Sequence, residues 1–240
     1  MNFNLKSIIP NGLTVLNLLC GCLGIVFAFK GELHWSSYCI GTAVVFDFFD
    51  GFTARLLKVN GELGKQLDSL ADMVTFGVLP SVILFQMISI ATEDYFTSIA
   101  NRQISNLFFQ FSAFLIAAFS ALRLAKFNID TNQSDKFIGM PTPAGAIFIG
   151  SLPLILSSFN VNMYVPIAGK ALSATANLYY WSPVEFYTIS TLQNKWFLTV
   201  AGIIDALLLV APIEMIALKF KNYSWKDNKL KYSFLAVSTI

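Results

Sequence analysis

Six long apolar segments run through this sequence and limit what it can fold into. They cover residues 13–29, 35–57, 64–88, 107–127, 143–160 and 196–218. A helix needs about 20 mostly apolar residues to cross the hydrocarbon core of a bilayer, so each segment is a candidate span. Of the 240 residues only 12% are charged, against about 25% in a typical soluble domain. We therefore predict an all-α integral membrane protein, a bundle of about six transmembrane helices.

The lysines and arginines are divided unevenly between the two ends of these spans. With the N-terminus placed in the cytoplasm, 12 of the 16 basic residues fall on the inner side and 4 on the outer side. Cytoplasmic loops carry an excess of Lys and Arg, so we expect both termini in the cytoplasm and the protein in the inner membrane of the cell. The net charge is only +2, and no basic run is interleaved with aromatic residues, so nucleic acid is not an expected partner.

The chain shows no internal repeat and no low-complexity tract, so we expect a single membrane domain over residues 1–240. The segment 161–195 is long for a loop and carries several Tyr and Trp residues, which favour the boundary between membrane and water. We expect it to lie on the outer surface and to be partly helical. The basic tail, residues 219–240, is predicted to contact anionic membrane lipids on the cytoplasmic side.

Four aspartates lie at the inner ends of two apolar segments, where charge is costly. Asp47 and Asp50 are three residues apart and Asp68 and Asp72 are four apart, so the members of each pair share a helix face. An acidic residue at membrane depth costs roughly 2.5–3.5 kcal/mol on insertion scales. Few cations accompany these acids, so bound divalent cations, which prefer oxygen ligands, are the expected counter-charge. Helix caps and surface acids are the alternative, but they do not explain two matched pairs.

Two glycines follow the same helical spacing as the acids. Gly51 lies one turn after Asp47, and Gly64 lies one turn before Asp68. Each glycine removes a side chain from the face that holds the acids and leaves room for a bulky ligand against the backbone. The sequence therefore predicts a polar active-site cavity that faces the cytoplasm.

The acids and glycines belong to one spaced motif. Its two halves, separated by eight residues, are Asp47-Phe-Phe-Asp50-Gly51-Phe-Thr-Ala54-Arg55 and Gly64-Lys-Gln-Leu-Asp68-Ser-Leu-Ala-Asp72. The motif resembles the signature of the CDP-alcohol phosphatidyltransferase family, and every fixed position is matched. The resemblance implies a six-helix membrane enzyme, usually a homodimer, with two divalent metal ions (Mg²⁺ or Mn²⁺) and a cytidine nucleotide pocket on the cytoplasmic side.

Further stretches resemble the bacterial and archaeal phosphatidylserine synthases of this family. They are Ile9-Pro10-Asn11 with Thr14 and Asn17, Ala121-Leu-Arg123-Leu-Ala-Lys126-Phe-Asn128, and Gly139-Met-Pro141-Thr-Pro143-Ala. The similarity covers about residues 8–230 and implies that the phosphatidyl group of CDP-diacylglycerol is transferred to L-serine, which gives phosphatidylserine and CMP. Within the same reaction class, glycerol 3-phosphate and an inositol phosphate stay open as acceptors.

The resemblance assigns roles to the motif residues. Asp47, Asp50 and Asp68 become the main metal ligands. Asp72 lies at the edge of the metal site and, as the last acid on its helix face, is the expected general base for the serine hydroxyl. The residues expected to contact the nucleotide are Gly51, Ala54 and Gly64, together with Thr14 and Asn17.

Several polar residues keep two interpretations. Arg123 and Lys126 either hold the lipid phosphate or the serine carboxylate, or only follow the cytoplasmic charge bias. Arg55 either pairs with motif carboxylates, which we favour, or extends to the membrane surface. Thr14 and Asn17 can hydrogen-bond a nucleotide, or join helices as small polar residues do in membranes.

A cation-coupled transporter is the alternative from a different functional class. Transporters place acids near mid-membrane on several helices and often repeat their architecture, whereas here the acids gather at one end and no repeat is found. Asp205 is the exception, since it lies well inside the sixth segment. We expect it to make a buried hydrogen bond.

Overall fold

Nine α-helices form most of the computed structural model, which describes residues 5–59, 61–129, 137–159 and 182–215. In chain order they are α1 (Ile8–Phe29), α2 (Leu33–Leu56), α3 (Glu62–Asp72), α4 (Leu79–Ala91), α5 (Ile104–Ser112), α6 (Leu115–Ile129), α7 (Thr142–Ser158), α8 (Pro183–Leu192) and α9 (Lys195–Val210). Two short strands, β1 (Phe137–Ile138) and β2 (Glu214–Met215), pair antiparallel. The basic tail, Lys136 and residues 160–181 of the predicted outer segment lie outside the described ranges.

Within the described residues, three helical runs are long and apolar enough to cross a membrane. They are α1, the continuous run Glu62–Ala91 that contains α3 and α4, and the run Ile104–Ile129 that contains α5 and α6. Helices α8 and α9 together form a fourth candidate, bent by 66° between its two parts. The 24-residue α2 is not among these runs, and α7 has only 17 residues. An all-helical membrane protein is thus confirmed, while six separate spans stay a prediction.

The run Glu62–Ala91 lies at the centre of the bundle. Its most apolar window is 72% buried, against 28% for α1 and for Ile104–Ile129. It contacts α1, α2, α6, α7 and α9, and side chains of α4 such as Leu79, Ile83 and Leu84 are fully buried. The part of the run that begins at Ala71 is therefore surrounded by the other helices, whereas the side chains of α3 before Ala71 are exposed or half-buried.

Helix α1 packs onto this centre through one narrow face. Its buried residues alternate at spacings of four and three, and they are Pro10, Thr14, Asn17, Gly21, Gly24 and Ala28. Such a spacing places all of them on one side of a helix. A side chain at Gly21 would overlap Thr75, and a Cβ at Gly24 would lie 2.6 Å from Leu79 Cδ2. The two glycines thus let α1 approach closely enough for Thr14 and Asn17 to reach the acids.

Two irregularities interrupt the long runs. Between α3 and α4, residues Met73–Val78 form a π-helical turn directly after Asp72. Pro80 follows this turn, and its missing N–H cannot complete a regular helical hydrogen bond. Helices α5 and α6 are separated at residues 113–114.

The end of the sixth predicted segment is wrong. Helix α9 stops at Val210 instead of continuing to residue 218. Ala211 adopts φ −59° and ψ 139°, an extended conformation, because a residue that precedes proline is sterically disfavoured in the helical region. The chain then pairs β2 with β1. Of the segment 161–195, the described part forms α8, whose first turn is capped by Ser182 and Glu185.

Candidate active site

Three of the four motif carboxylates converge at one point. One oxygen each of Asp47, Asp50 and Asp68 lies within 4.8 Å of the others, and the Asp72 carboxylate is close enough to Asp47 to interact with it electrostatically. Asp50 and Asp72 are only 6% and 8% exposed. Several buried acids at this separation repel one another unless a cation or a proton lies between them. The oxygen-only donor set fits a hard divalent ion.

Helix α1 contributes one hydrogen bond to each acidic helix. The Thr14 hydroxyl donates to Asp50 Oδ2 at 2.7 Å, and Asn17 Nδ2 donates to Asp72 Oδ1 at 3.3 Å. The backbone carbonyl of Asn17 in turn accepts from Thr75 Oγ1 at 3.1 Å in the π-helical turn. Thr14 and Asn17 therefore orient one acid from each pair, a role that the sequence analysis did not assign to them.

A cavity of about 1010 Å³ lies beside the acids. Its walls come mainly from the first turns of α1, the end of α2 and the start of α3, and they include Thr14, Asp50, Gly51, Ala54, Gly64 and Asp68. Among the described residues, no heavy atom lies within 4 Å of the position that a Cβ on Gly51 would take, and the nearest atom to a Cβ on Gly64 is Asn11 Oδ1 at 3.3 Å. The bare patch predicted at Gly51 thus faces open space, whereas Gly64 lies against the Asn11 side chain.

Basic residues surround the mouth of this cavity. Arg55, Lys58 and Lys65 are exposed and belong to its wall. Lys58 closes the end of α2 in a left-handed conformation, with φ 52°, where glycine is the more usual residue. The pairing of Arg55 with the motif carboxylates stays a prediction. Together the three cations place positive charge where an anionic ligand would enter.

Arg123 and Lys126 lie outside the cavity wall. Arg123 is half-buried, its Nε has no hydrogen-bond partner among the residues that the structure describes, and its guanidinium attracts the Asp72 carboxylate electrostatically. Lys126, three residues further along α6, is exposed. The structure thus brings Arg123 close to the acidic cluster but leaves Lys126 at the surface.

Sequence reasoning missed the contact between α3 and the end of α6. The Asn128 side-chain amide exchanges hydrogen bonds with the Ser69 hydroxyl at 2.9 and 3.2 Å, and Lys65 Nζ donates to the Asn128 carbonyl at 3.1 Å. Ser69 directly follows Asp68, so this contact anchors the helix that carries this carboxylate. No periodic pattern in the sequence points to it, because the partners are 59 and 63 residues apart.

The hydrogen bond predicted for Asp205 is wrong within the described part of the chain. Asp205 is 1% exposed, and neither carboxylate oxygen has a partner there. Its oxygens lie 2.9 and 3.0 Å from the position that a Cβ on Gly145 would take, with the Met140 side chain also close. Neither neighbour offers a side-chain donor. Gly145 lies in the first turn of α7, where the helix dipole is positive and favours a carboxylate.

The fold and the motif together define a class of protein. Residues 7–181 match the family described as CDP-alcohol phosphatidyltransferase. This match covers well over half of the chain, and the chain belongs to that family. The resemblance drawn from the aspartate–glycine motif is therefore confirmed.

Curated relatives narrow the comparison. The chain is 34% identical over 154 residues to the CDP-diacylglycerol–serine O-phosphatidyltransferase of Bacillus subtilis (strain 168). The aligned region covers 64% of this chain and 77% of that protein. It is 33% identical over 151 residues to the Helicobacter pylori (strain J99) protein of the same name, covering 62% of this chain and 58% of that one. It is 33% identical over 149 residues to the archaetidylserine synthase of Methanothermobacter thermautotrophicus, covering 61% and 58%. The chain thus spans less than two thirds of the length of the latter two.

Proposed function

We propose that this protein transfers the phosphatidyl group of CDP-diacylglycerol to L-serine and releases phosphatidylserine and CMP. The observation that carries the proposal is the convergence of Asp47, Asp50 and Asp68 to within 4.8 Å beside a cavity of about 1010 Å³. The family membership supports phosphatidyl transfer, and the names of the similar curated proteins support serine as the acceptor.

The carboxylates fit a divalent metal site. Asp47, Asp50 and Asp68 would hold two ions, Mg²⁺ or Mn²⁺, with Asp72 at the edge, since hard cations of this kind take oxygen ligands. When bound, the ions would neutralise the charge that develops on the departing CMP. Thr14 and Asn17 keep the carboxylates in position for this task through their hydrogen bonds to Asp50 and Asp72.

The cavity wall binds the cytidine nucleotide. Gly51, Ala54 and Gly64 present a surface with little side chain, so the nucleotide can lie close to the helix backbones of α2 and α3. The basic residues Arg55 and Lys58 at the mouth attract the anionic diphosphate. The diacylglycerol chains extend sideways into the lipid.

The acceptor approaches from the side of Asp72 and Arg123. Asp72 takes the proton of the serine hydroxyl while the hydroxyl oxygen bonds to the lipid-side phosphorus, and the bond between that phosphorus and the CMP oxygen breaks. Arg123 grips the serine carboxylate, for which a guanidinium offers two parallel donors. Its buried Nε has no partner among the described residues and is available for such a contact. Lys126 adds positive charge three residues further along α6.

We also propose that both termini face the cytoplasm of the inner membrane and that the enzyme is a homodimer. The orientation is supported by the basic residues, because the cavity opens at the end of the bundle that carries Arg55, Lys58 and Lys65. The dimer rests on the family resemblance.

The decisive experiment is an assay of the purified protein with CDP-diacylglycerol and a panel of alcohols. We expect equal amounts of CMP and phosphatidylserine with L-serine, and little product with ethanolamine, which lacks the carboxylate. Use of glycerol 3-phosphate or inositol phosphate, with serine untouched, would overturn the acceptor but leave phosphatidyl transfer standing. Absence of CMP release with every alcohol would contradict phosphatidyl transfer itself.

A further inference from the structure

One buried side chain, Ser81, connects the two irregular points of the bundle. Ser81 is fully buried near the start of α4. Its hydroxyl donates to the carbonyl of Gly77 at 2.8 Å and accepts from the backbone N–H of Ala117 at 3.0 Å. The first bond ends in the π-helical turn of the central run, and the second ends just after the break between α5 and α6.

The π-helical turn separates Asp72 from the rest of the central run. It occupies Met73–Val78, and the N–H of Leu79 donates to the carbonyl of Val74, five residues back. A turn of this kind inserts an extra residue into a helix and occurs often at functional sites. The rotation of the Asp72 side chain relative to α4 therefore depends on how this turn is held.

The break between α5 and α6 leaves one backbone donor without its helical partner. In a regular helix the N–H of Ala117 would donate to the carbonyl of Ala113, four residues back. That carbonyl instead accepts from Ile116 at 3.3 Å. Ala117 donates to Ser81, which lies on another helix. Since buried N–H groups are almost always paired, Ser81 is the residue that makes this break tolerable in the core.

The contact of Ser81 with Gly77 and Ala117 lies beside the residues assigned to the acceptor. Gly77 packs against Ser120, whose Cβ lies 3.1 Å from the position that a Cβ on Gly77 would take. Asp72 precedes Gly77 by five residues, and Arg123 follows Ser120 by three. Because α6 and the central run are antiparallel, Asp72 and Arg123 both lie on the cytoplasmic side of this contact. A shift of α6 along the π-helical turn would change the separation of Arg123 from Asp72.

We propose that Ser81 is a positioning residue for the acceptor. Its two hydrogen bonds fix the register of α6 on the π-helical turn and so keep Arg123 and Asp72 at the separation that serine requires. Ser81 belongs to neither the cavity wall nor the acidic cluster, so it acts only through these helices. The inference rests on the proposed function, since it concerns the binding of serine.

The test compares Ser81→Ala with Ser37→Ala in the purified enzyme. Ser37 is a matched control, because it is 4% exposed and its hydroxyl donates within its own helix to the carbonyl of Leu33 at 3.0 Å. We expect Ser81→Ala to lower kcat/KM for serine by about 10- to 100-fold, the scale of a misplacement of about 1 Å. Most of this loss should be in the KM for serine, with the KM for CDP-diacylglycerol changed less than about twofold. Ser37→Ala should leave both constants near wild type.

The possible results distinguish the positioning role of Ser81 from the proposed function on which it rests. Failure of the wild-type enzyme to use serine would contradict the proposed function. Use of serine by the wild type, with equal changes in both KM values or none in Ser81→Ala, would overturn the positioning role. If Ser81→Ala does not fold, Ser81→Cys is measured instead, since a thiol keeps the size of the side chain with a weaker donor and acceptor. It should show the same selective rise in the KM for serine, and an equal rise in both constants would refute the inference.

Discussion

Replacing Thr14 with valine should weaken metal binding at the acidic cluster, because it removes the hydrogen bond that orients Asp50. A threonine hydroxyl has one proton to donate, and Asp50 Oδ2 at 2.7 Å is a closer acceptor than the Pro10 carbonyl at 3.1 Å. A hydrogen bond to a charged group is worth about 1.5–3 kcal/mol, and Thr14 is only 4% exposed, so water does little to replace it. At 1.4 kcal/mol per factor of ten, this range corresponds to about 10- to 150-fold in affinity.

The measurement is a calorimetric titration of the purified protein with Mn²⁺, which does not depend on turnover. The expected loss agrees with the 10- to 100-fold effect of removing groups that orient metal ligands in general. Thr42→Val is the matched control, since the Thr42 hydroxyl donates to the Tyr38 carbonyl of its own helix. It should bind Mn²⁺ as the wild type does, and Thr14→Ser should restore tight binding. If Thr14→Val and Thr42→Val bound Mn²⁺ equally tightly, Thr14 would not orient a metal ligand.

Five further outcomes are expected. Excess chelator should abolish transfer and added Mg²⁺ or Mn²⁺ should restore it, whereas full activity in chelator would contradict the metal site. Asp68→Ala should lose Mn²⁺ binding in calorimetry together with activity, while Asp72→Asn should keep CDP-lipid binding and lose roughly 100- to 10,000-fold in kcat, the usual contribution of a general base. Gly51→Leu should block CDP-lipid binding without unfolding the protein, because open space surrounds Gly51; Gly41→Leu, on the same helix but outside the cavity wall, is its control in the same binding assay. Arg123→Ala should raise the KM for serine more than that for CDP-diacylglycerol, and an equal rise in steady-state kinetics would remove Arg123 from the acceptor site.

Features with a local cause could be predicted from the sequence. The membrane class follows from the apolar segments, and the convergence of Asp47, Asp50 and Asp68 follows from helical spacing at the ends of two adjacent segments. The open space at Gly51 follows for the same reason, because a missing side chain on a known helix face is visible in the sequence itself.

Contacts between distant helices could not be predicted in this way. Thr14 and Asn17 share a helix face, but the sequence does not reveal that this face meets Asp50 and Asp72. Asp205 was expected to have a hydrogen-bond partner because buried polar groups are generally paired. The packing of α9 on α7, which the sequence does not reveal, places it against Gly145 instead. The early end of α9 has a local cause, because Pro212 is a signal in the sequence that the helix ends. The prediction extended the helix to residue 218 because the apolar residues continue past this proline.

The burial of the central run from Ala71 onward separates Asp72 from the medium that the reaction alters. An enzyme whose product is a phospholipid changes the thickness and surface charge of its own bilayer as it works. Those changes act first on the outward faces of peripheral helices such as α1, which meet the acyl chains directly. Asp72 is only 8% exposed and stands where this run becomes buried, whereas the first turns of α3 are exposed. The contacts that hold Asp72 are therefore made by protein, and they do not depend directly on the composition of the surrounding lipid.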